Sequence, residues 1–519
     1  MQHEEVTRIW ELYEQGKDHH ERKNMYTRAQ RCHKFYEGDQ WDGIDAGIDR
    51  SQLPMENIIT GIVKYKVSSV AMNAMTINYT PHTGAENEIS QALNEYAGKM
   101  MELQKMDTRL WDVTKAAAIE GDSYLYFYNR NLDNQVLDAT AVYLGDEQQP
   151  DLQKQPYIII YERRSVRDVR EDAKRHGVKK AQLDQILPDD DLETTVGDKE
   201  EVKSENGKCS CLLYLTKKDG VIHFARCTKL VEYQPLTAIP GLTVYPIANI
   251  IWERAHNSAR GIGEVWNLIP NQININKNLF RRTEAVKMAS FPKMAYVADM
   301  IENPENITEA GSPIKIVEGN ATKVNDIVAY LQPAPISADA TNLQNELIDR
   351  TRDLVSAGDA AMGNINPEQA SGAAIAAVRD AQAIPLNEQQ NAVKQFVEDV
   401  ARIWLEMLCA YSPNGIKVGD GVIMPEEIQE AKMEIRIDIS PKNPWSKMAA
   451  EQALAAHRQA GDITFEEYVE ALDEDSNVPK GKLKRIIEAR GQQPEGMMPQ
   501  GVTYEQAPGE VVPSGLLQM

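Results

Sequence analysis

The stretch 261–411 limits how this chain can fold more than any other. A basic amphipathic helix runs into a short insert punctuated by proline and glycine. A second helix follows, then the loop GDAAMGNINPEQASGA, then a long apolar-striped helix containing one proline. The loop, 358–372, holds three glycines, one proline and several small polar residues, so it has little side chain with which to hold itself in a core. Loops of that kind carry function more often than packing. Long helices around so bare a loop suit an assembly that lines a passage or closes into a ring.

In the first helix, 261–290, Ile262, Val265, Trp266 and Ile269 form an apolar stripe. Pro270 starts or kinks a second segment, in which Ile273, Leu279, Phe280 and Val286 continue the stripe. Lys277, Arg281 and Arg282 recur at three- to four-residue spacing and share roughly one face, either solvated or turned to a partner. The second helix, 338–357, has only the narrow stripe Leu343, Leu347, Leu354 and Val355, enough for one neighbour. In the third, 373–411, Val393, Phe396, Val397, Val400, Trp404 and Leu408 repeat at i, i+3, i+4 and i+7. A helix of about 40 residues spans about 60 Å, and Pro385 is expected to kink it.

The other regions read as mixed secondary structure, giving an α+β, predominantly helical class. Residues 1–37 are helical, with Val6, Ile9, Trp10 and Tyr13 on one face and Gly38 as the stop. MENIITGIVKYKVSSVAMNAM is a mostly apolar helix, MTINYTPHTG an edge strand with its turn, 86–120 two helices, and EGDSYLYFYNR a strand. From about 131 to 246 the pattern is β-rich. QPYIIIYERR is a strand, and CSCLLYLTKKDGVIHFARCTKL a hairpin whose turn needs positive φ at Gly220. The segment 188–207 holds eight acids against two lysines and reads as a solvated loop. MEIRIDIS is a strand, 445–490 a small helical unit, and the Gly/Pro/Gln-rich 491–519 a disordered tail.

With 519 residues the chain suggests three or four folding units. Its net charge of −22 argues against a protein that coats nucleic acid, and fits a surface along which a polyanion must stay free to slide. No window approaches the ~18 apolar residues of a membrane span, and MQHEEVTRIW lacks a signal-peptide pattern. Five scattered cysteines imply a reducing cytoplasm rather than a disulfide framework.

No motif asks for catalysis, a cofactor or a metal. Cys209 and Cys211 sit on a strand at a spacing unsuited to zinc and read as buried thiols. His19 and His20, in a charged helix, read as solvent-facing. Asp189–Asp191 and Asp473–Asp475 read as loops or helix ends. Gly261-x-Gly263 lacks the third glycine of a nucleotide loop, and no phosphate loop, nucleophile elbow or metalloprotease motif occurs.

The order of FYEGDQW, EGDSYLYFY, GIGEVWNLIPNQININKNLFRR and SGAAIAAVRDAQAIPLNEQQ resembles the portal proteins of tailed double-stranded-DNA bacteriophages over about 25–490. The resemblance implies a ring, commonly dodecameric, at a unique capsid vertex of a virion assembled in the host cytoplasm. It implies wing (1–260), first stem helix (261–290), clip (291–337), second stem helix (338–357), tunnel loop (358–372), long kinked wing helix and strand (373–444) and crown (445–490). On that reading Asp359, Met362, Asn364, Asn366, Glu368 and Ser371 face DNA from the loop, and Lys277, Arg281, Arg282 and Lys287 are the basic residues of the stem. The implied partners are other copies of the chain, the terminase large subunit, head-completion, adaptor and tail proteins, and major capsid and scaffolding proteins. Double-stranded DNA passes through without sequence readout. The alternative is a virion scaffold or connector protein without a DNA channel.

Overall fold

The computed structural model describes residues 2–41, 53–71, 73–80, 87–189, 207–290, 294–308, 313–317, 327–330, 338–357, 384–413, 415–418, 421–430, 434–441, 454–455, 457–472, 480 and 482–483. They fall into two compact units, Met1–Ser440 and Pro441–Met519. Length suggested three or four units. The first absorbs most of them because its helices and sheets share one extended apolar core.

The N-terminal helical region is two helices, α1 (Gln2–Arg22) and α2 (Met25–Glu37). Asn24 breaks them at φ 54°, a left-handed conformation that Asn tolerates through its short polar side chain. Gly38 ends α2 at φ 106° and donates its N–H to the Lys34 carbonyl, the expected stop. Then follow α3 (Ile58–Ala71), β1 (Asn73–Thr80), α4 (Asn87–Leu103), α5 (Met106–Glu120), β2 (Asp122–Tyr128), β3 (Asp133–Asp138) and β4 (Val142–Leu144). Next come β5 (Tyr157–Ser165), α6 (Val166–Arg175), α7 (Lys180–Leu183), β6 (Lys208–Lys218), β7 (Val221–Thr228), β8 (Glu232–Ala238) and β9 (Ile247–Ile251).

The later part holds α8 (Glu264–Ser290), β10 (Met294–Tyr296), β11 (Val328–Tyr330), α9 (Ala338–Leu354) and α10 (Asn387–Tyr411). β12 (Ile416–Val418), β13 (Gly421–Ile423), α11 (Pro425–Glu430), β14 (Glu434–Pro441) and α12 (Phe465–Ala471) complete it.

Strands β4 to β8 form an antiparallel meander in sequence order. Its β6–β7 turn has Asp219 at φ 52° and Gly220 at φ 79°, the two positive dihedrals of a tight two-residue hairpin. Side-chain alternation divides the sheet's burial. Ile159, Tyr161 and Leu212 meet the Val6, Ile9, Trp10 and Tyr13 face of α1. On the other face Ile158, Ile160, Leu213 and Leu215 enter the main core, while Cys209 and Cys211 pack under Val169 and Ala173 of α6. Both thiols are buried, as their place on a strand suggested.

A second sheet, β3-β2-β9, lies against α10. β2 is its centre, so Tyr124, Leu125, Tyr126 and Phe127 are all buried. Phe127 meets Trp404 of α10 edge to face. The six apolar residues expected to form the stripe of α10 are indeed buried, with Ala401, Ile403 and Met407 in addition. The stripe is wide because β9 and α3 both pack against this helix.

Pro385 sits in a 3-10 turn, Ile384–Leu386, from which the 25-residue α10 begins. Residues 373–383, on the other side of the kink expected at Pro385, lie outside the described residues. At 1.5 Å per residue the described helix spans about 38 Å. In the second unit α12 begins with a capping box, Thr464 and Glu467 each bonding the other's backbone N–H. A small cluster centred on Tyr468, Val469 and Leu472 packs that unit.

Three glycines let the lead-in to α8 touch the body backbone to backbone. A Cβ on Gly263 would lie 2.5 Å from the Ile119 carbonyl oxygen, and one on Gly261 would overlap the Gly121 carbonyl. Gly121 itself has φ 123°. The GIG sequence is therefore a packing contact and not part of a nucleotide loop. Gly263→Ala is expected to destabilise the chain by roughly 1–3 kcal/mol, the ordinary cost of overpacking. A lowered thermal midpoint with unchanged secondary structure would register this.

Candidate functional site: the anchored helix pair

Helices α8 and α9 run antiparallel. Asn271 Nδ2 donates to Thr351 Oγ1 at 3.1 Å, and farther along Arg282 Nη1 donates to Gln344 Oε1 at 2.6 Å. Between them in the chain lies a small antiparallel pair, β10–β11, and the isolated bridge Ile301–Ile316.

The inner face of the pair is polar. Gln344 and Thr351 are buried, whereas Leu343 and Leu354, expected to pack inward, are 49% and 73% exposed. Of the expected stripe, Leu347 and Val355 pack against the core, joined by Ile348. Leu343 and Leu354 do not, because α8 presents Asn271 and Arg282 there, and polar groups leaving water need hydrogen-bonding partners rather than leucines. The outer half of α8 shows the complement, with Val286 52% and Met288 64% exposed.

The root of α8 is held by buried amides that the sequence reading passed over. Gln272 donates to the Glu56 carbonyl at 2.7 Å and accepts from Ile58 N–H at 3.2 Å. Asn276 accepts from Glu56 N–H at 3.2 Å and donates to Gln40 Oε1 at 2.7 Å. Gln344 reaches the Glu56 carboxylate from α9 at 2.8 Å. The available signal was the i, i+4 spacing of Gln272 and Asn276 on the apolar face of NQININKN. Lys66 and Glu264 add a largely buried ion pair at 2.8 Å.

Just before α8, Arg260 is buried and spends its guanidinium on six groups. It grips Glu147 with two 2.9 Å bonds, and donates to Asp122 (3.3 Å), Tyr124 hydroxyl (3.2 Å), the Ala139 and Val142 carbonyls (3.0 and 2.7 Å) and His20 Nε2 (3.0 Å). This corrects the expectation for His20, which is fully buried and stacks on Tyr143. A histidine in a charged helix reads as exposed until tertiary structure supplies the charge that faces it.

Burial pushes the His20 imidazole down to about 4, and the positive charge of Arg260 acts in the same direction. Burial alone would raise Glu147, but Arg260 outweighs it and holds this carboxyl well below its usual range. Nearby, His33 bonds Glu120 at 2.6 Å, and that carboxylate raises the imidazole against the effect of burial.

Of the basic residues expected in a stem, Lys277, Arg281 and Lys287 are exposed, Lys287 with Glu284 at 3.7 Å. Arg282 is half-buried and tied to Gln344. The six loop residues Asp359, Met362, Asn364, Asn366, Glu368 and Ser371 lie outside the described residues. So do the acidic segment 190–206 and Asp473–Asp475. Asp189 is described, and it pairs with Arg163 at 2.8 Å. Among the described residues no three His, Cys, Asp or Glu side chains gather as metal ligands, and no helix is long and apolar enough to cross a membrane.

The pair is thus two long helices tied to the body at their roots, with Leu343, Leu354, Val286 and Met288 exposed. A family model described as phage P22-like portal protein matches residues 160–508, about two thirds of the chain, and the chain belongs to that family. It is a phage portal protein, a virion component that serves genome packaging. No curated protein matches the chain.

Two outcomes test the anchor. Arg260→Met is expected to cost roughly 3–5 kcal/mol, because Glu147 and Asp122 are left as buried charges without their cation. Urea unfolding of the variant measures this. For pH, His20 has a folded value below its ordinary 6.5, so its contribution is complete above 6.5 and is lost as pH falls toward 4. Glu147, also depressed, adds a loss below its ordinary 4.5. The raised His33 runs the opposite way, losing its contribution as pH rises through its folded value. Thermal midpoints across pH 4–7 should therefore fall less steeply in His20→Gln than in the parent chain.

Proposed function

We propose that this chain is the repeating subunit of a closed ring, commonly of twelve copies in such proteins. Through it double-stranded DNA enters and leaves the capsid. The ring is also the docking site for the terminase large subunit and for head-completion, adaptor and tail proteins, at a vertex shared with the major capsid and scaffolding proteins. It assembles in the host cytoplasm. Helices α8 and α9 are the stem, 291–337 the clip, 358–372 the tunnel loop, 373–444 the long wing helix and strand, 445–490 the crown, and 1–260 most of the wing.

One observation carries this reading. The helix pair buries Gln344 and Thr351 between its helices while leaving Leu343, Leu354, Val286 and Met288 exposed. Within one subunit that arrangement leaves apolar surface in water, and neighbours around a ring would cover it. The acidic balance of −22 supports a conduit, since each phosphate a lining neutralises adds counterion-release affinity and slows passage. Exposed Lys277 and Arg281 would meet the polyanion at discrete points, and the loop residues Asp359, Met362, Asn364, Asn366, Glu368 and Ser371 would approach it without sequence readout.

Mass measurement of the purified protein should give a multi-subunit ring, and a monomer under every condition would remove the proposal. Leu343→Asp with Leu354→Asp should shift the population toward monomer while leaving the subunit's secondary structure intact. Shortening 358–372 should reduce DNA packaging or retention with ring assembly preserved; loss of assembly instead would make the loop a packing element. Images without an axial channel would favour a scaffold.

A further inference from the structure

A cavity of about 260 Å³ opens where the end of β2, the strands β6, β7 and β8, the end of α6 and the end of α10 meet. Tyr126, Tyr128, Phe224 and Tyr411 give it aromatic walls, and Arg226 and His176 also line it. Tyr126 and Tyr128 already stack on one another, their ring centres 5.8 Å apart.

Arg226 differs from the other buried arginines of this chain. Arg260 holds two carboxylates, Arg163 is paired with Asp189, and Arg164 with Asp172 at 2.6 Å. Among the described residues no carboxylate forms an ion pair with Arg226. Tyr126, Tyr233 and the Glu162 carboxylate act on it and hold the guanidinium above its ordinary range against the effect of burial. Burial pushes the Tyr126 phenol up to about 12, so it stays neutral and cannot balance the guanidinium. Asp172, the one carboxylate in the lining, is already taken by Arg164 and Arg175. A half-buried guanidinium that forms no ion pair among the described residues can pair with an anion entering the cavity.

Size narrows the choice. Pockets for drug-sized ligands run from about 300 to 1,000 Å³, so this one has room for a single ring and one anionic group, not a nucleotide. We propose that the cavity is a binding site for a small aromatic oxyanion, its carboxylate or phosphate paired with Arg226 and its ring packed among Tyr126, Tyr128 and Phe224. The planar fork of arginine suits two parallel bonds to such a group. This site is independent of the stem helices and of the ring reading.

The test is calorimetric titration of the full-length protein with phenyl phosphate, benzoate and inorganic phosphate. Saturable binding is expected for the ring-bearing anions, about tenfold tighter than for inorganic phosphate because only they use the aromatic walls. Arg226→Gln should weaken binding about tenfold or more, and Arg226→Lys, which keeps the charge but loses the fork, should weaken it less. Tyr128→Ala at the rim should erase most of the preference for a ring. Absence of saturable binding up to about 10 mM would overturn the proposal. So would affinity that neither Arg226 variant changes while circular dichroism shows both folded. Inorganic phosphate binding as tightly as phenyl phosphate would overturn the aromatic part.

Discussion

The buried guanidinium of Arg260 is the interaction on which the rest of the structure depends. It joins the end of α1 through His20, the start of β2 through Asp122 and Tyr124, and the 139–147 segment through two carbonyls and Glu147. One residue later the chain makes its backbone contact at Gly261 and turns into α8. An ion pair taken out of water gains little over a well-packed apolar substitute, yet loses much if one partner goes. Its value here is positional. Elements more than a hundred residues apart must all be in place before every polar group at this point is satisfied, so the direction in which α8 leaves the body is set.

The same logic runs along the root of the helix pair. Gln272, Asn276 and Gln344 hold the segment around Glu56 through backbone and side-chain bonds that tolerate little sliding. An apolar seam would allow several near-equivalent registers, whereas directed hydrogen bonds do not. Leu343 and Leu354 of α9 and Val286 and Met288 of α8 are left on the outside. A chain built this way is fixed where the helices begin and leaves apolar side chains exposed where they project.

Much of this was legible in local sequence. The α10 stripe, the α1 face, the Gly38 stop, the Asp219-Gly220 turn and the strands at 122–128 and 157–165 follow from periodicity and turn chemistry, which act over a few residues. The order of motifs was enough to suggest the portal family. What could not be read depends on distant partners. His20 looked solvated because Arg260 lies 240 positions away. Leu343 and Leu354 looked like core because a leucine at helical spacing carries no sign of whether its neighbour will be polar.

By itself, then, the sequence determined the secondary-structure elements, the acidic net charge and the family. Those properties are written in local pattern, composition and motif order. Tertiary structure alone decided which polar residues would be buried, that the GIG turn is a packing contact, and that Arg226 would line a cavity. These outcomes turn on which charges and backbones meet across long stretches of chain, and burial assigns them their energies only once the fold has formed.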